Sequence, residues 1–218
     1  MKLTGMKWIA LPVAVLLVGS VAWAQDQLSV ESQSSSTSAG ETPAKPDRTV
    51  PQRQENQQDR IAQGVTSGQL TAGETANLEN KAAAINGATR ADRAANGGKL
   101  TSAEKVQINQ QQNELSKQIY LDKHNANTGH YGNGQVGQRR ENQQDRIAQG
   151  IKSGQLTAGE TAKLEARQRG INQQVAADRA ANGGKLTQGE KQQINHEQNK
   201  TSRNIYDKKH NAARQPRH

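Results

Sequence analysis

Apolar residues are sparse along this chain, and where they recur they do so at helical spacing. Ile61 and Val65 stand four apart, Leu78 and Ile85 seven apart, and Ile108, Leu115 and Ile119 continue the same rhythm. Such spacings put side chains on one face of a helix, whereas a half-buried strand would alternate every second residue. The pattern predicts three helices. The first covers about residues 53 to 65 and stops at Ser67-Gly68. The second starts at Thr71, with Glu74 three residues on; the third starts at Thr101, with Glu104 three residues on. Thr-x-x-Glu is a capping box, in which the hydroxyl and the carboxylate each bond the other residue's backbone N–H. Asn96-Gly97-Gly98 ends the second helix, since glycine takes the left-handed conformation freely. Leu70 and Leu100 are expected to fold inward and close the two turns.

The same text returns 86 residues later. Gln52 to Ala126 aligns with Gln138 to Ala212 without a gap, and about two-thirds of the positions are identical. ENQQDRIAQG, SGQLTAGETA and ADRAANGGKLT each occur twice, and Leu164, Ile171 and Val175 repeat the second helix's stripe. Differences cluster at 80 to 90 and 114 to 122, which read as helix faces. Residues 127–137, NTGHYGNGQVG, read as a glycine-rich linker. Residues 25–51 are rich in Ser, Thr and Gln and contain Pro43, Pro46 and Pro51, the composition of a disordered leader. Residues 213–218 form a short basic tail. The predicted fold class is all-α: two tandem modules of three helices, 52–126 and 138–212, behind that leader.

The first 24 residues have another character. Lys2 and Lys7 precede an apolar run from Trp8 to Val21, and Ala22-Trp23-Ala24 follows. This is the three-part layout of a bacterial secretory signal, with cleavage expected after Ala24 and the mature chain periplasmic or secreted. The run is short for a membrane span, which needs roughly 20 apolar residues. Beyond it there is no Trp, Phe or Cys, and the aromatics are Tyr120, Tyr131 and Tyr206. No disulfide can form, and so little apolar surface predicts thin cores in separate modules rather than one large globule.

Charge distinguishes the copies. Of the net +9, the first copy contributes nine Lys/Arg against eight Asp/Glu, and the second fourteen against eight. A basic second copy suits a polyanion or an acidic envelope surface, with Arg139, Arg140, Arg167 and Arg169 as the candidate contacts. Its charges are interleaved with acids and no aromatic platform accompanies them, which argues against nucleic acid.

The turns also carry candidate cation chemistry. S-G-Q-L-T-x-x-E and G-G-K-L-T-x-x-E each resemble the second half of an EF-hand calcium loop, which has glycine sixth, an apolar residue eighth and a chelating Glu twelfth. Four such loops of about twelve residues centre on Leu70, Leu100, Leu156 and Leu186. The resemblance implies weak calcium or divalent-cation binding by Thr71, Glu74, Asp92, Asn96 and Glu104, and by their repeats Thr157, Glu160, Asp178, Asn182 and Glu190. The places that hold carboxylates in that family hold Gln63, Val65 and Ser67 here, or Arg93, Ala95 and Gly97. Capping boxes explain the same glutamates without a metal. EF-hands pair through their eighth residues, so pairing within a copy requires the second helix to break near Asn86-Gly87.

His124 and His210 recur in IY-x-x-KHN at a helix end, where an imidazolium favours the dipole. No nucleophile–base pair or strong metal cluster stands out. The expected function is therefore a non-enzymatic exported binding or structural repeat protein without a cofactor, whose partner is an unidentified protein or envelope component. Cation binding through the loops and polyanion binding through the second copy are the alternatives.

Overall fold

The helix starts follow from their caps. Thr71, Thr101, Thr157 and Thr187 each accept a hydrogen bond from the N–H of the glutamate three residues on, and each glutamate side chain accepts one from the threonine N–H. A fifth capping box has glutamine in the glutamate's place: Thr49 with Gln52. A computed structural model describes residues 48–215 and holds six helices: α1 (Val50–Thr66), α2 (Ala72–Ala95), α3 (Ser102–Lys123), α4 (Gln135–Lys152), α5 (Ala158–Ala181) and α6 (Gln188–His210). Among the described residues there is no strand, and no helix is long and apolar enough to cross a membrane. The expected signal segment, the leader up to residue 47 and residues 216–218 lie outside the described residues.

Both first helices of the copies begin earlier than expected. Pro51, read with the leader, occupies the first turn of α1, where its missing N–H is no loss. α4 starts inside the stretch read as linker, with Gly134 as its cap. Val136 is buried there, and Gly137 lets the connector lie against the helix. A Cβ on it would stand 2.0 Å from Gly132 O.

The second helix does not break. α2 runs through Asn86-Gly87 for 24 residues, about 36 Å at 1.5 Å per residue. Its two flanking turns therefore stand at opposite ends, and Leu70 and Leu100 are held apart. At the α1–α2 turn Gly68 takes a φ of 69°, and the Leu70 N–H bonds Gly64 O at 3.0 Å. Leu70 is buried against Gly64, where an added Cβ would lie 2.6 Å from Leu70 Cδ1. Gly150 and Leu156 repeat this contact.

Between the copies, α2 packs on α5 and α1 on α4, more extensively than any helix packs within its own copy. α3 covers α1 and α2, and α6 covers α4 and α5. Each contact between copies joins an element to its own counterpart, which is the signature of a two-fold relation. Gly73 faces Arg169 and, reciprocally, Gly159 faces Ala83; these are counterpart pairs. One hydrophobic cluster draws Ile61, Leu78, Ile108 and Ile119 from the first copy and Ile147, Leu156, Leu164 and Ile205 from the second. Separate thin cores were expected. Instead most of the apolar residues of the two copies are pooled, and a smaller cluster of Val136, Ile171, Val175 and Ile194 stays within the second copy; pooling raises the buried fraction a small chain can reach.

Glutamines complete the interior. Gln57 Nε2 donates to Gln112 O at 2.6 Å and Gln143 Nε2 to Gln198 O at 2.7 Å. Gln112 and Gln198 donate in turn to Val50 O and Val136 O. Two carboxyl groups are also fully buried. Glu79 Oε2 accepts from Gln58 Nε2 at 3.0 Å, and Glu165 Oε2 accepts from Gln144 Nε2 at 2.9 Å. Glu79 and Glu165 are counterparts, and the charge of Glu79 acts on Glu165, so both lie beside the pseudo-two-fold axis. Burial pushes each carboxyl up to about 8. Gln58 Oε1 and Glu79 Oε1 lack donors, and a proton on Glu79 supplies the group that could join them.

Two outcomes follow from this packing. Folded Glu79 and Glu165 keep protons that the unfolded chain releases above the ordinary value of 4.5. Their contribution to stability is therefore complete below that pH and is lost as pH rises towards 8. Chemical denaturation from pH 5 to pH 8 should show stability falling by up to about 1.4 kcal/mol per pH unit for each glutamate. The double variant Glu79→Gln, Glu165→Gln should flatten that slope, and a wild-type midpoint constant across this range would refute the protonated pair. Separately, Gly150→Ala should cost about 1–3 kcal/mol by forcing Leu156 from its seat. A change within error would show that Leu156 moves aside freely.

Candidate anion-binding site

The turn residues serve as caps in this fold. Glu74 Oε2 lies on Thr71, while Glu74 Oε1 accepts from the Asn125 and Asn127 amides, each at 2.8 Å. Burial pushes this carboxyl up, but the Asn127, Thr71 and Asn125 hydrogen bonds outweigh it and hold it below the ordinary range. Glu160 is bonded by Thr157 and Asn211 and lies 3.7 Å from Lys208 Nζ. Glu104 and Glu190 accept from Asn96 and Asn182, each at 2.7 Å. In this arrangement the groups facing these glutamates donate hydrogen bonds to them: backbone N–H groups, asparagine amides and the Thr71 and Thr157 hydroxyls. Asp92 and Asp178 take part in their turns through the backbone carbonyls that Asn96 and Asn182 bond. No group of three His, Asp or Glu suited to a metal occurs among the described residues.

The four candidate arginines separate. Arg139 donates to Asn195 Oδ1 at 3.2 Å and to Asn199, and its counterpart Arg53 bonds Asn109 and Asn113 in the same way. This pair ties the first helix of each copy to the third. Arg167 is exposed on α5. Arg169 is exposed too, but it joins Arg140 in lining a cleft of about 510 Å³ between the copies.

That cleft is built from three directions. Thr71, Ala72 and Gly73 bring the first turn of α2 to it; α5 contributes Arg169, Asn172 and Arg179; and the connector before α4 supplies His130 and Tyr131. Arg140 comes from α4 and is only 5% exposed. Its guanidinium stands 5.0 Å over the Tyr131 ring and donates to Tyr131 O at 2.9 Å, while its Nε has no partner. Burial is the main influence against its charge, with the nearby Arg179 adding to it and Tyr131 opposing it. An arginine stays charged nonetheless. Burial likewise raises the Tyr131 phenol, which Asn172 bonds. No carboxylate lines the cleft, and none of its arginines makes an ion pair among the described residues.

No spacing or motif in the sequence points to Arg179, Asn172, His130 or Tyr131 at this place. The readable signal lay between the copies: Arg140 replaces Gln54 and Arg169 replaces Ala83. The counterpart crevice around Gln54, Asn86 and Gln215 is too tight for water.

Fold and cleft together define an all-α protein with an arginine-lined recess between two homologous halves. No family model matches the chain, and neither a curated protein nor a solved structure proves similar to it.

If the turn glutamates are caps, Thr71→Ala and Thr157→Ala should each lower stability by about 1 kcal/mol. Millimolar calcium should leave the thermal midpoint of the wild type unchanged. A calcium-dependent rise that Glu74→Gln abolishes would support the cation reading instead.

Proposed function

We propose that this chain is an exported, non-enzymatic protein that binds anionic partners in the periplasm or outside the cell through its second copy. In this reading the two sequence copies are tandem three-helix modules. The first is close to neutral and serves as a frame. The second carries the binding charge.

The observation that supports it most directly is the cleft with Arg140, Arg169 and Arg179 and no carboxylate in its wall. Arginines on a protein surface are ordinarily balanced by nearby acids. A half-enclosed group of three without such balance lowers the cost of bringing in a negative charge from solution. The excess of six positive charges in the second copy attracts that partner from a distance, over the range that salt permits. Export places the protein among acidic envelope polymers, lipid headgroups and secreted partners.

Heparin serves as the probe polyanion. The chain from residue 25 onward should be retained on immobilised heparin at physiological ionic strength and released by salt. Neutralising Arg139, Arg140, Arg167 and Arg169 together should move elution to clearly lower salt, with helicity unchanged by circular dichroism. Elution of the wild type in the flow-through would count against anion binding as the function.

A further inference from the structure

The first turn of α2 holds a backbone group without a partner. Ala72 is 1% exposed, and its N–H has no acceptor among the described residues. At the cleft wall, that N–H has only water or a ligand left to bond. The other copy has an acceptor in place: the Ala158 N–H bonds the side-chain oxygen of Gln215 at 3.1 Å. Gln215 is held there by its own N–H on Gly154 O at 2.9 Å. The first copy has the matching anchor, the Gly129 N–H on Gly68 O at 2.8 Å, but glycine has no side-chain oxygen to offer. Both Gly129 and Ala72 line the arginine cleft.

We infer that this cleft binds a phosphate group, free or as a monoester, with one phosphate oxygen at the Ala72 N–H in the position that Gln215 Oε1 occupies at Ala158. The assignment rests on the anion-binding reading above and narrows it to one chemistry. A helix N-terminus favours an anion through its free N–H groups and its dipole. Here it is joined by Arg140, nearly buried with its Nε unpartnered, and by Arg169, whose Cδ would stand 3.2 Å from a Cβ on Gly73. Arg179 adds a third positive charge. Glu74, the one acid of this turn, keeps its charge, but both its oxygens are turned to Thr71, Asn125 and Asn127, and the three arginines outweigh it.

Phosphate is favoured over sulfate or carboxylate by an acceptor in the same wall. Asn172 Oδ1 is buried without a donor. Near neutral pH a phosphate group keeps a proton part of the time and can donate it, whereas sulfate and carboxylate only accept. The recess of about 510 Å³ exceeds one phosphate, which leaves room for an ester substituent.

Calorimetry of the full chain at pH 7 with inorganic phosphate, sulfate and acetate tests this. Saturable phosphate binding, about tenfold or more tighter than sulfate or acetate, is expected. Gly129→Gln introduces the side chain that the second copy carries, with its Cβ 3.0 Å from Leu70 O and 3.4 Å from the Tyr131 hydroxyl, and Arg140→Gln restores the residue of the first copy. Each should weaken phosphate binding about tenfold or more. Should either variant fold poorly, the Ala72 amide proton of the wild type provides an independent readout: phosphate should shift it downfield. Glycerol phosphate against vesicles containing phosphatidic acid then separates a free ester from a lipid headgroup. Absence of phosphate binding, equal binding of sulfate, or an unmoved Ala72 amide overturns the assignment. Silence towards phosphate with heparin retention intact refutes this site alone; loss of both refutes the anion-binding reading with it.

Discussion

Packing of each copy upon its own counterpart is the constraint that orders the rest of this molecule. A stretch of 75 residues with a handful of Ile, Leu and Val cannot bury enough apolar surface by itself to offset the entropy of ordering three helices. Setting α2 on α5 and α1 on α4 merges most of two insufficient stripes into one shared cluster, with a smaller one left inside the second copy. The capping boxes and closed turns make each helix definite in length, but the shared face gives those helices something to hold. The arrangement also decides where a site can form, because it brings the first turn of α2 up to the middle of α5.

A symmetric interface would offer two equal recesses. Substitutions between the copies make one open and close the other. Gln54 becomes Arg140 and Ala83 becomes Arg169, while Gly129 on the open side corresponds to Gln215 on the closed side. Other changes compensate in volume. Ala82 and Leu115 border one crevice in the first copy; their counterparts are the larger Gln168 and the smaller Thr201, with Gln168 bonded to Gln143 at 2.9 Å. Duplication followed by exchange of this kind lets one half keep the frame while the other acquires charge.

Much of the local structure was legible beforehand. The Thr-x-x-Glu caps, the glycine stops and the buried faces around Ile61, Leu78, Ile108 and Ile119 are short-range features, and spacing reports them directly. The start of α1 was missed because Thr49-x-x-Gln52 lies beside Pro51, and proline was taken as a loop signal rather than as a first-turn residue. The union of the copies was missed for a deeper reason. Periodicity shows that a face is apolar and never says which element covers it. The variable stretch at 80 to 90 reads as a helix face and no more, and Ala83 and its counterpart Arg169 lie at the seam between copies. The recess combines groups more than a hundred residues apart, and the decisive Gly129–Gln215 difference falls just beyond the ends assigned to the repeat.

The acids at the seam raise a question of cost. Burying Glu79 and Glu165 beside one another brings no stability that two leucines would not exceed, and each acid leaves one oxygen without a donor. What the pair does supply is selectivity of pairing. Gln58 meets Glu79 and Gln144 meets Glu165 within their own copies, so both acid–amide pairs arrive at the axis already formed. Sliding α2 along α5 by one turn would leave each acid with its own amide but part the two acid–amide pairs from one another at the seam. A seam lined only with Ala, Ile and Leu would accept several such registers at similar energy. With the acids present, the correct register is the one that leaves them least exposed to apolar neighbours. The recess needs that register, since Arg169 reaches Gly73 in no other.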